Sequence, residues 1–251
     1  MDAVLLPYGP AEVAITVQSR AGLEAEVGRR LAAGQGFALA TVNLDHIVKL
    51  RRDAAFRAAY AAHELITADG NPIVWLARLG GREVELLPGA DLILPLCRLA
   101  AAHGAPVALV GATGQALAGA AARLRAEVPG LAVAAEIAPP MGFDPDGPAA
   151  EALLSEVVAS GARIAFLALG APKQEQLAAL GLRLAPGVGF VSIGAGLDFL
   201  AGTQRRAPEW VRRLALEWLW RMLSNPRRLA GRYLASALVL PGLALRMWRR
   251  R

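Results

Sequence analysis

Two short segments carry side chains that could do chemistry. In the segment Thr67-Ala68-Asp69-Gly70-Asn71-Pro72, Asp69 is a carboxylate among small residues, and it could act as a general base that accepts a proton. The same aspartate could instead cap the helix that Pro72 predicts from its first turn. The residues alone leave both interpretations open.

The second segment is Gly170-Ala171-Pro172-Lys173-Gln174-Glu175, which follows a strongly apolar run. It places a cation, an amide and a carboxylate in consecutive positions. Lys173 could neutralise a phosphate, and Gln174 could hydrogen-bond a polar ligand. A solvated helix start is the alternative for this composition.

Gly111-Ala112-Thr113-Gly114 lies between a predicted strand and a predicted helix, where backbone N–H groups can hold a phosphate. A tight strand-to-helix turn explains the glycines equally well. Neither GxGxxG nor GK[ST] is present in the sequence, which disfavours an NAD-type oxidoreductase.

No metal site is predicted. Asp144-Pro145-Asp146 spells DxD, but it lies in a Pro/Gly-rich loop without a nearby third ligand, where aspartates are typical turn residues. The three histidines, His46, His63 and His103, lack metal-ligand spacing. Cys97 is the single cysteine, so an internal disulfide is excluded, which fits a reducing compartment.

The elements that must position these residues alternate between strand and helix. Apolar runs predict strands at 37–42, 106–110, 131–137, 163–169 and 189–193, and helical spacing predicts helices at 23–33, 45–63, 115–127 and 149–160. This order predicts an α/β fold with a Rossmann-like, mostly parallel sheet and flanking helices, and ligands at the carboxyl ends of the strands. Residues 207–233 are predicted to be helical, and 234–251 to form an amphipathic helix interrupted near Pro241-Gly242.

Charge divides the chain into a predicted core, 1–202, and a predicted helical appendage, 203–251. The appendage has 12 of the 27 basic residues and two acidic ones, about +10, and four of the five tryptophans. Arginine with tryptophan is typical of an anionic lipid interface, whereas the abundant Leu, Ala and Val do not suit a nucleic-acid backbone. Apolar runs are too short to span a bilayer, and the N-terminus lacks a secretory signal pattern, so a peripheral, cytoplasmic protein is expected.

An ordered set of motifs extends over about residues 38–233. It comprises Thr41-Val42-Asn43; Ala68-Asp69-Gly70 with Pro72; Pro88-Gly89-Ala90-Asp91; Pro139-Pro140-Met141-Gly142-Phe143; Leu169 through Glu175; Gly194-Ala195-Gly196 with Asp198; Ala201-Gly202; Arg206-Ala207-Pro208; Glu217-Trp218 with Arg221; and Pro226-Arg227-Arg228. With these motifs in this order, the chain resembles the WecG/TagA/CpsF glycosyltransferases. Residues beyond Tyr233 lie outside the resemblance and are interpreted as further membrane attachment.

The resemblance implies an inverting hexosyltransferase of bacterial cell-surface polysaccharide synthesis that needs no metal or other cofactor. Its donor would be a UDP-sugar and its acceptor a sugar on polyprenyl diphosphate, at the inner face of the cytoplasmic membrane. The tail resembles the family's C-terminal appendage, which would close over the site and meet the lipid. The sugar is not identified, a homo-oligomer is compatible, and no nucleic-acid partner is expected.

The resemblance also assigns residues. Asp69 is expected to be the general base, Thr41 and Asn43 to line the acceptor pocket, and Gln174 to contact the sugar or nucleotide. Further substrate-binding candidates are Gly70, Asn71, Gly111, Lys173, Glu175, Gly194, Asp198, Arg206, Arg213, Arg221 and Arg228. The alternative is a non-catalytic, membrane-associated nucleotide-sugar binding protein in which Asp69 merely caps a helix.

Overall fold

The computed structural model describes residues 3–224 and 226–250, except for the side chains of Arg212, Arg213, Arg221, Ser224 and Arg228. The elements follow in the order β1 (Val4–Tyr8), β2 (Ala11–Ile15), α1 (Arg20–Ala33), β3 (Phe37–Val42), α2 (Leu44–Arg52), α3 (Ala54–Ala61), β4 (Leu65–Ala68), α4 (Asn71–Leu79), α5 (Gly89–Ala102), β5 (Val107–Gly111), α6 (Gly114–Glu127), β6 (Val133–Ile137), α7 (Pro148–Ala159), β7 (Ile164–Ala168), α8 (Lys173–Leu184), β8 (Gly189–Ser192), α9 (Gly196–Ala201), α10 (Glu209–Arg213), α11 (Glu217–Ser224) and α12 (Pro226–Trp248).

Within these residues, six strands form a parallel sheet in the order β4-β3-β8-β7-β5-β6, and β1 pairs with β2 in a separate antiparallel hairpin. The strands β3, β7 and β8 are almost wholly buried because helices cover both faces of the sheet. The predicted α/β fold with a mostly parallel, Rossmann-like sheet is therefore confirmed.

Alternate residues of β3 separate the two faces. Leu39 packs in a cluster with α1, α5, α6 and α9. Ala38 and Ala40, on the opposite face, pack in clusters that contain α7 and α8, and α2, α3 and α4, respectively. Successive strand residues point to opposite faces, so the sheet is the middle layer of three.

Several elements differ from the sequence-based predictions, among them the predicted helix 207–233, which is divided between α10, α11 and the start of α12. The predicted helix 45–63 is two helices, because Asp53 ends α2 and caps α3, with its Oδ1 accepting from the Phe56 N–H at 2.9 Å. Thr67 and Ala68, predicted as loop, belong to β4, and the β1–β2 hairpin was not predicted. The predicted interruption near Pro241 is wrong, since α12 runs through it.

The C-terminal helix α12 packs on the core. Leu243 and Met247 are buried in a cluster with residues of β1, α2 and α4. Arg246 Nη1 donates to the Gly9 carbonyl at 2.7 Å, and Arg250 pairs with Glu12, so the end of the helix is tied to the hairpin. No described helix is long and apolar enough to cross a membrane. The division at residue 202 stays a prediction.

Candidate active site

The predicted site segments meet at the carboxyl ends of the central strands. From β3 the chain continues into α2 on one face of the sheet, and from the neighbouring β8 it continues into α9 on the other. From β7, on the far side of β8, it continues into α8 and returns to the first face. Connections that leave neighbouring strands on opposite faces open a crevice, which is where α/β sheets bind ligands.

Asp69, the residue after β4, lies at this edge. Its N–H donates to the Val42 carbonyl at 2.8 Å, which continues the pairing of β3 with β4. The Asp69 Oδ2 lies 3.3 Å from Thr41 Oγ1 and 3.4 Å from Asn43 Nδ2, and both of these groups donate to it. The structure thus brings together the predicted base and the two predicted acceptor-pocket residues.

Asn43 has a second role that fixes its amide. Its Oδ1 accepts from the His46 N–H at 3.0 Å and caps α2, so its Nδ2 faces Asp69. Gly70 adopts a φ of +96°, a conformation that favours glycine, and begins α4 without a side-chain cap. Gly70 is therefore the N-cap residue of α4.

A buried polar network supports the end of β3, where Thr41 and Asn43 contact Asp69. The Tyr60 hydroxyl donates to the Thr41 carbonyl at 2.9 Å and lies 2.7 Å from His46 Nδ1. Burial lowers the pKa of His46 to about 3, so the ring is neutral at physiological pH. Burial, with the charges of Glu175 and Asp69, raises the pKa of Tyr60. Both rings therefore act as neutral supports for the β3 end.

The segment after β7 faces the same crevice. Gln174 Oε1 accepts from the Gly194 N–H at 3.0 Å, and Gln174 Nε2 donates to Glu175 Oε1 at 2.8 Å. Both side chains are buried, Gln174 at 3% exposure and Glu175 at 0%. Lys173 Nζ donates to the Phe143 carbonyl at 2.6 Å and so ties the predicted Pro139–Phe143 motif to α8. Their roles in substrate binding stay predictions.

Arg206 enters the site from the beginning of the tail. Its Nη2 donates to Asp91 Oδ2 at 2.9 Å, and Nη1 makes a second bond to the same carboxylate. Its Nε lies 3.8 Å from Glu217 on α11. Burial opposes its charge, but the Asp91 hydrogen bond and the charges of Asp91, Glu217 and Asp69 raise its pKa. The guanidinium therefore links the start of α5 to the tail, and its charge interacts with that of Asp69.

Two glycines permit the close approach of backbones at the crevice. A Cβ on Gly89 would lie 2.8 Å from the Ser192 carbonyl oxygen and 3.4 Å from Thr41 Cγ2. A Cβ on Gly111 would lie 2.6 Å from the Ala168 carbonyl oxygen. Gly111 thus lies against β7 at the end of β5, where the sequence predicted a phosphate-binding turn.

Two further predicted residues, Asp198 and Asn71, lie in the first turns of α9 and α4. Asp198 accepts from Thr203 Oγ1 at 3.0 Å and from Gln204 Nε2 at 3.2 Å, which closes its own loop. Asn71 begins α4 beside Gly70. The side chains of Arg213, Arg221 and Arg228 lie outside the described residues.

The DxD segment forms a turn. Asp144 Oδ1 accepts from the Asp146 N–H at 3.1 Å, as an Asx turn does. Among the described residues, no group of three or more His, Cys, Asp or Glu could hold a metal ion. Metal independence stays a prediction.

A separate cleft lies where the chain enters β3 and β8, the opposite end of the sheet from Asp69. Arg29, Arg30, Gly36, Glu64 and Pro186 are among its lining residues. Arg30 Nε binds Glu26 at 2.7 Å and Arg30 Nη1 binds Glu64 at 2.7 Å, while Arg29 also binds Glu26. Since two carboxylates compensate these two cations, the cleft offers no excess charge for a ligand.

Sequence reasoning missed several site residues. Asp91 had been noted in a motif, but no role was predicted for it, and Glu217 likewise. Tyr60 was not among the predicted site residues, although its hydroxyl donates to the Thr41 carbonyl. A buried Tyr hydroxyl generally needs a polar partner, and this was the available signal.

A parallel α/β sheet with a crevice at its switch point, a carboxylate hydrogen-bonded by Thr41 and Asn43, and a nearby guanidinium define a class: ligand-binding α/β enzymes with a candidate general base. The sequence pattern of the family described as Glycosyl transferase WecG/TagA/CpsF family matches residues 10–251. The chain belongs to this family of glycosyltransferases, which act in cell-surface polysaccharide synthesis, and it is a hexosyltransferase. The enzyme interpretation is thereby confirmed over the non-catalytic alternative.

Proposed function

We propose that this enzyme transfers a hexose from a UDP-sugar to a sugar on polyprenyl diphosphate, with inversion at the anomeric carbon. Asp69 removes the proton from the acceptor hydroxyl, and the resulting oxygen attacks the anomeric carbon. The bond from that carbon to the β-phosphate oxygen breaks, and UDP leaves with the electron pair. The proton held by Asp69 is released to solvent after the products leave.

The single observation that carries the proposal is the position of the Asp69 carboxylate at the crevice between Thr41 and Asn43. The hydroxyl of Thr41 and the amide of Asn43 both donate to this carboxylate, so they fix its direction at the crevice. Both partners also have the polar character that a sugar hydroxyl needs in its binding pocket.

Electropositive groups for the leaving diphosphate are available on two sides. The charge of Asp69 acts on Arg206, and the planar donor fork of this guanidinium suits a diphosphate. Lys173 lies at the start of α8, with its Nζ on the Phe143 carbonyl. Arg213, Arg221 and Arg228 are further candidates by sequence.

The acceptor carries a polyprenyl chain, so the enzyme must work at a membrane. The tail combines exposed apolar side chains, including Trp210, Leu234, Leu238 and Trp248, with 12 basic residues between 203 and 251. This combination supports binding of the tail to the anionic inner face of the cytoplasmic membrane. The Asp91–Arg206 pair connects such a docked tail to the active site.

The test is a transfer assay in detergent with radiolabelled UDP-sugars and a polyprenyl-diphosphate-linked sugar. We expect product with at least one donor, and a fall of about 10²-fold or more for Asp69→Asn, because the amide cannot accept the proton. Asp144→Asn is the matched control: it changes an exposed turn carboxylate, and we expect it to retain activity.

Melting temperature and UDP binding should be unchanged in Asp69→Asn, which separates a lost base from a lost fold. If Asp69→Asn keeps wild-type turnover, the assignment of the base is wrong. If Asp144→Asn is instead the inactive variant, the DxD segment carries the chemistry.

A further inference from the structure

A continuous hydrogen-bond chain runs from the loop after β8 into the core: Gly194 N–H to Gln174 Oε1, then Gln174 Nε2 to Glu175 Oε1. Its direction is fixed by chemistry. A backbone N–H can only donate, so the Gln174 atom that faces Gly194 is the oxygen, and its NH₂ group faces the carboxyl of Glu175. Glu175 must therefore accept.

This chain crosses the crevice. Gln174 lies in the first turn of α8, on the face of the sheet that also carries α2, while Gly194 precedes α9 on the opposite face. One side chain thus joins the two connections that bound the crevice beside β8. The place of the Gly194 loop depends on the rotamer of Gln174, and Glu175 holds the far end of that amide.

We propose that Glu175 is a positioning residue for sugar transfer. Its buried carboxyl fixes the Gln174 side chain, and Gln174 in turn holds the Gly194–Gly196 loop in place relative to Asp69 across the crevice. The inference rests on the proposed function. Glu175 is fully buried, so in this proposal it acts through Gln174 instead of making the substrate contact that the sequence predicted.

The surroundings of Glu175 suit a positioning role more than a stabilising one. Its second oxygen, Oε2, is buried and has no hydrogen-bond partner among the described residues, which is costly for a carboxyl that served packing alone. The charges of Lys49 and Asp45 on α2 act on the Glu175 carboxyl, and the charge of Glu175 acts on Tyr60 on α3. Lys49 Nζ also donates to the Ala171 carbonyl at 3.0 Å, so the loop that precedes Gln174 is held from the same side.

The test compares three variants. Glu175→Leu removes the acceptor, and we expect kcat to fall about 10- to 100-fold from misplacement of the loop, with UDP affinity within about threefold of wild type. Gln174→Glu places two carboxylates together, and we expect it to be weakest at pH 8, where both are ionised. The swap Gln174→Glu with Glu175→Gln recreates a donor and an acceptor in the opposite order, so we expect activity to return to within about fivefold of wild type.

Two outcomes of the activity measurements would overturn the proposal. One is wild-type kcat in a folded Glu175→Leu enzyme. The other is a double variant no more active than Gln174→Glu, which would mean that the Gln174 amide itself contacts substrate.

Amide hydrogen exchange of the peptide that contains Gly194 gives a readout independent of turnover. We expect faster exchange in Glu175→Leu and recovery in the swap, with the core strands unchanged. This separates the two proposals: if no donor or acceptor supports transfer in the wild type, the proposed function fails, while the exchange data still decide the role of Glu175. Unchanged exchange at Gly194 in Glu175→Leu contradicts the inference whatever the activity.

Discussion

At the scale of single residues, the site combines a hydrogen-bonded carboxylate with a guanidinium that has a carboxylate partner of its own. Asp69 is oriented by neutral Thr41 and Asn43, whereas Arg206 makes a two-pronged ion pair with Asp91. Asp91 therefore fixes the Arg206 guanidinium near the site, where its charge interacts with that of Asp69.

A second residue-scale consequence concerns stability and pH. Burial raises the pKa of Glu175 from 4.5 to about 7 in the folded enzyme. The folded state holds this proton more tightly than the unfolded state, so the contribution of Glu175 to stability is complete below pH 4.5 and is lost as the pH rises through about 7. The loss amounts to about 3 kcal/mol, at roughly 1.4 kcal/mol per pKa unit.

We expect the free energy of unfolding of the wild type, measured relative to that of Glu175→Gln, to fall between pH 5 and pH 8. The fall should be close to this loss of about 3 kcal/mol. The glutamine does not titrate, so it lacks this loss. Urea unfolding at four pH values between 5 and 8 measures the difference. Glu151→Gln, an exposed carboxylate on α7, is the control and should follow the wild-type curve. Parallel curves for Glu175→Gln and wild type would show that Glu175 is not buried as described.

The residue scale also shows what sequence could and could not predict. Thr41, Asn43 and Asp69 were assigned by resemblance to a family, and the structure brings them together. The burial of Gln174 and Glu175 was not predictable, because a run of Lys, Gln and Glu is typical of a solvated helix start. Only the packing of α8 under the sheet, set by distant segments, buries these polar groups.

At the scale of elements, the start of α5 is packed directly on the strand ends. We expect Gly89→Ala to destabilise the enzyme by about 1–3 kcal/mol and to lower transfer activity, since the new methyl group meets backbone atoms that cannot move aside separately. The contacts would be the Ser192 carbonyl oxygen at 2.8 Å and Ile193 Cα at 2.9 Å. The displaced helix start would shift Asp91 and, with it, Arg206.

Gly114→Ala is the matched control for this prediction. Gly114 begins α6 at the same sheet edge, and a Cβ there would meet nothing within 4 Å. We expect no destabilisation, because alanine is the better helix former. Urea unfolding and the transfer assay on both variants measure the effect, and equal behaviour of the two would show that the close approach at Gly89 is absent in solution.

Element boundaries follow the limits of local sequence signals. Asp53 splits a predicted helix by capping chemistry, a signal that was present but was outweighed by helical periodicity. The reverse error occurred at Pro241, which predicted a break that the structure does not have. Leu243 and Met247, beyond the proline, are buried against the core, so tertiary packing maintains a helix that local preference disfavours.

At the scale of the whole molecule, α12 carries two apolar faces. One face, with Leu243 and Met247, is buried in the core cluster that contains β1 and α4. The other presents Leu234, Leu238, Leu245 and Trp248 at helical spacing, and all four are exposed. A helix that is packed on the core on one side and exposes apolar side chains on the other is suited to attach the enzyme to a lipid bilayer.

This arrangement predicts how the enzyme meets a bilayer. We expect it to float with vesicles of phosphatidylglycerol and phosphatidylcholine, and to float less with phosphatidylcholine alone. The reason is that residues 203–251 contain 12 basic residues and only two acidic ones. Flotation should weaken between about 0.1 M and about 1 M salt, where the Debye length falls from roughly 10 Å to roughly 3 Å.

The exposed face can be tested separately from the charge. Leu234→Ser with Leu238→Ser removes two of its side chains, which are 63% and 73% exposed, and we expect flotation to be lost while the melting temperature is kept. Val158→Ser with Leu184→Ser changes two exposed apolar residues on α7 and α8, and it should float like wild type. If both double variants float equally well, arginines alone hold the enzyme on the vesicle, and the exposed face of α12 must be covered by something other than lipid.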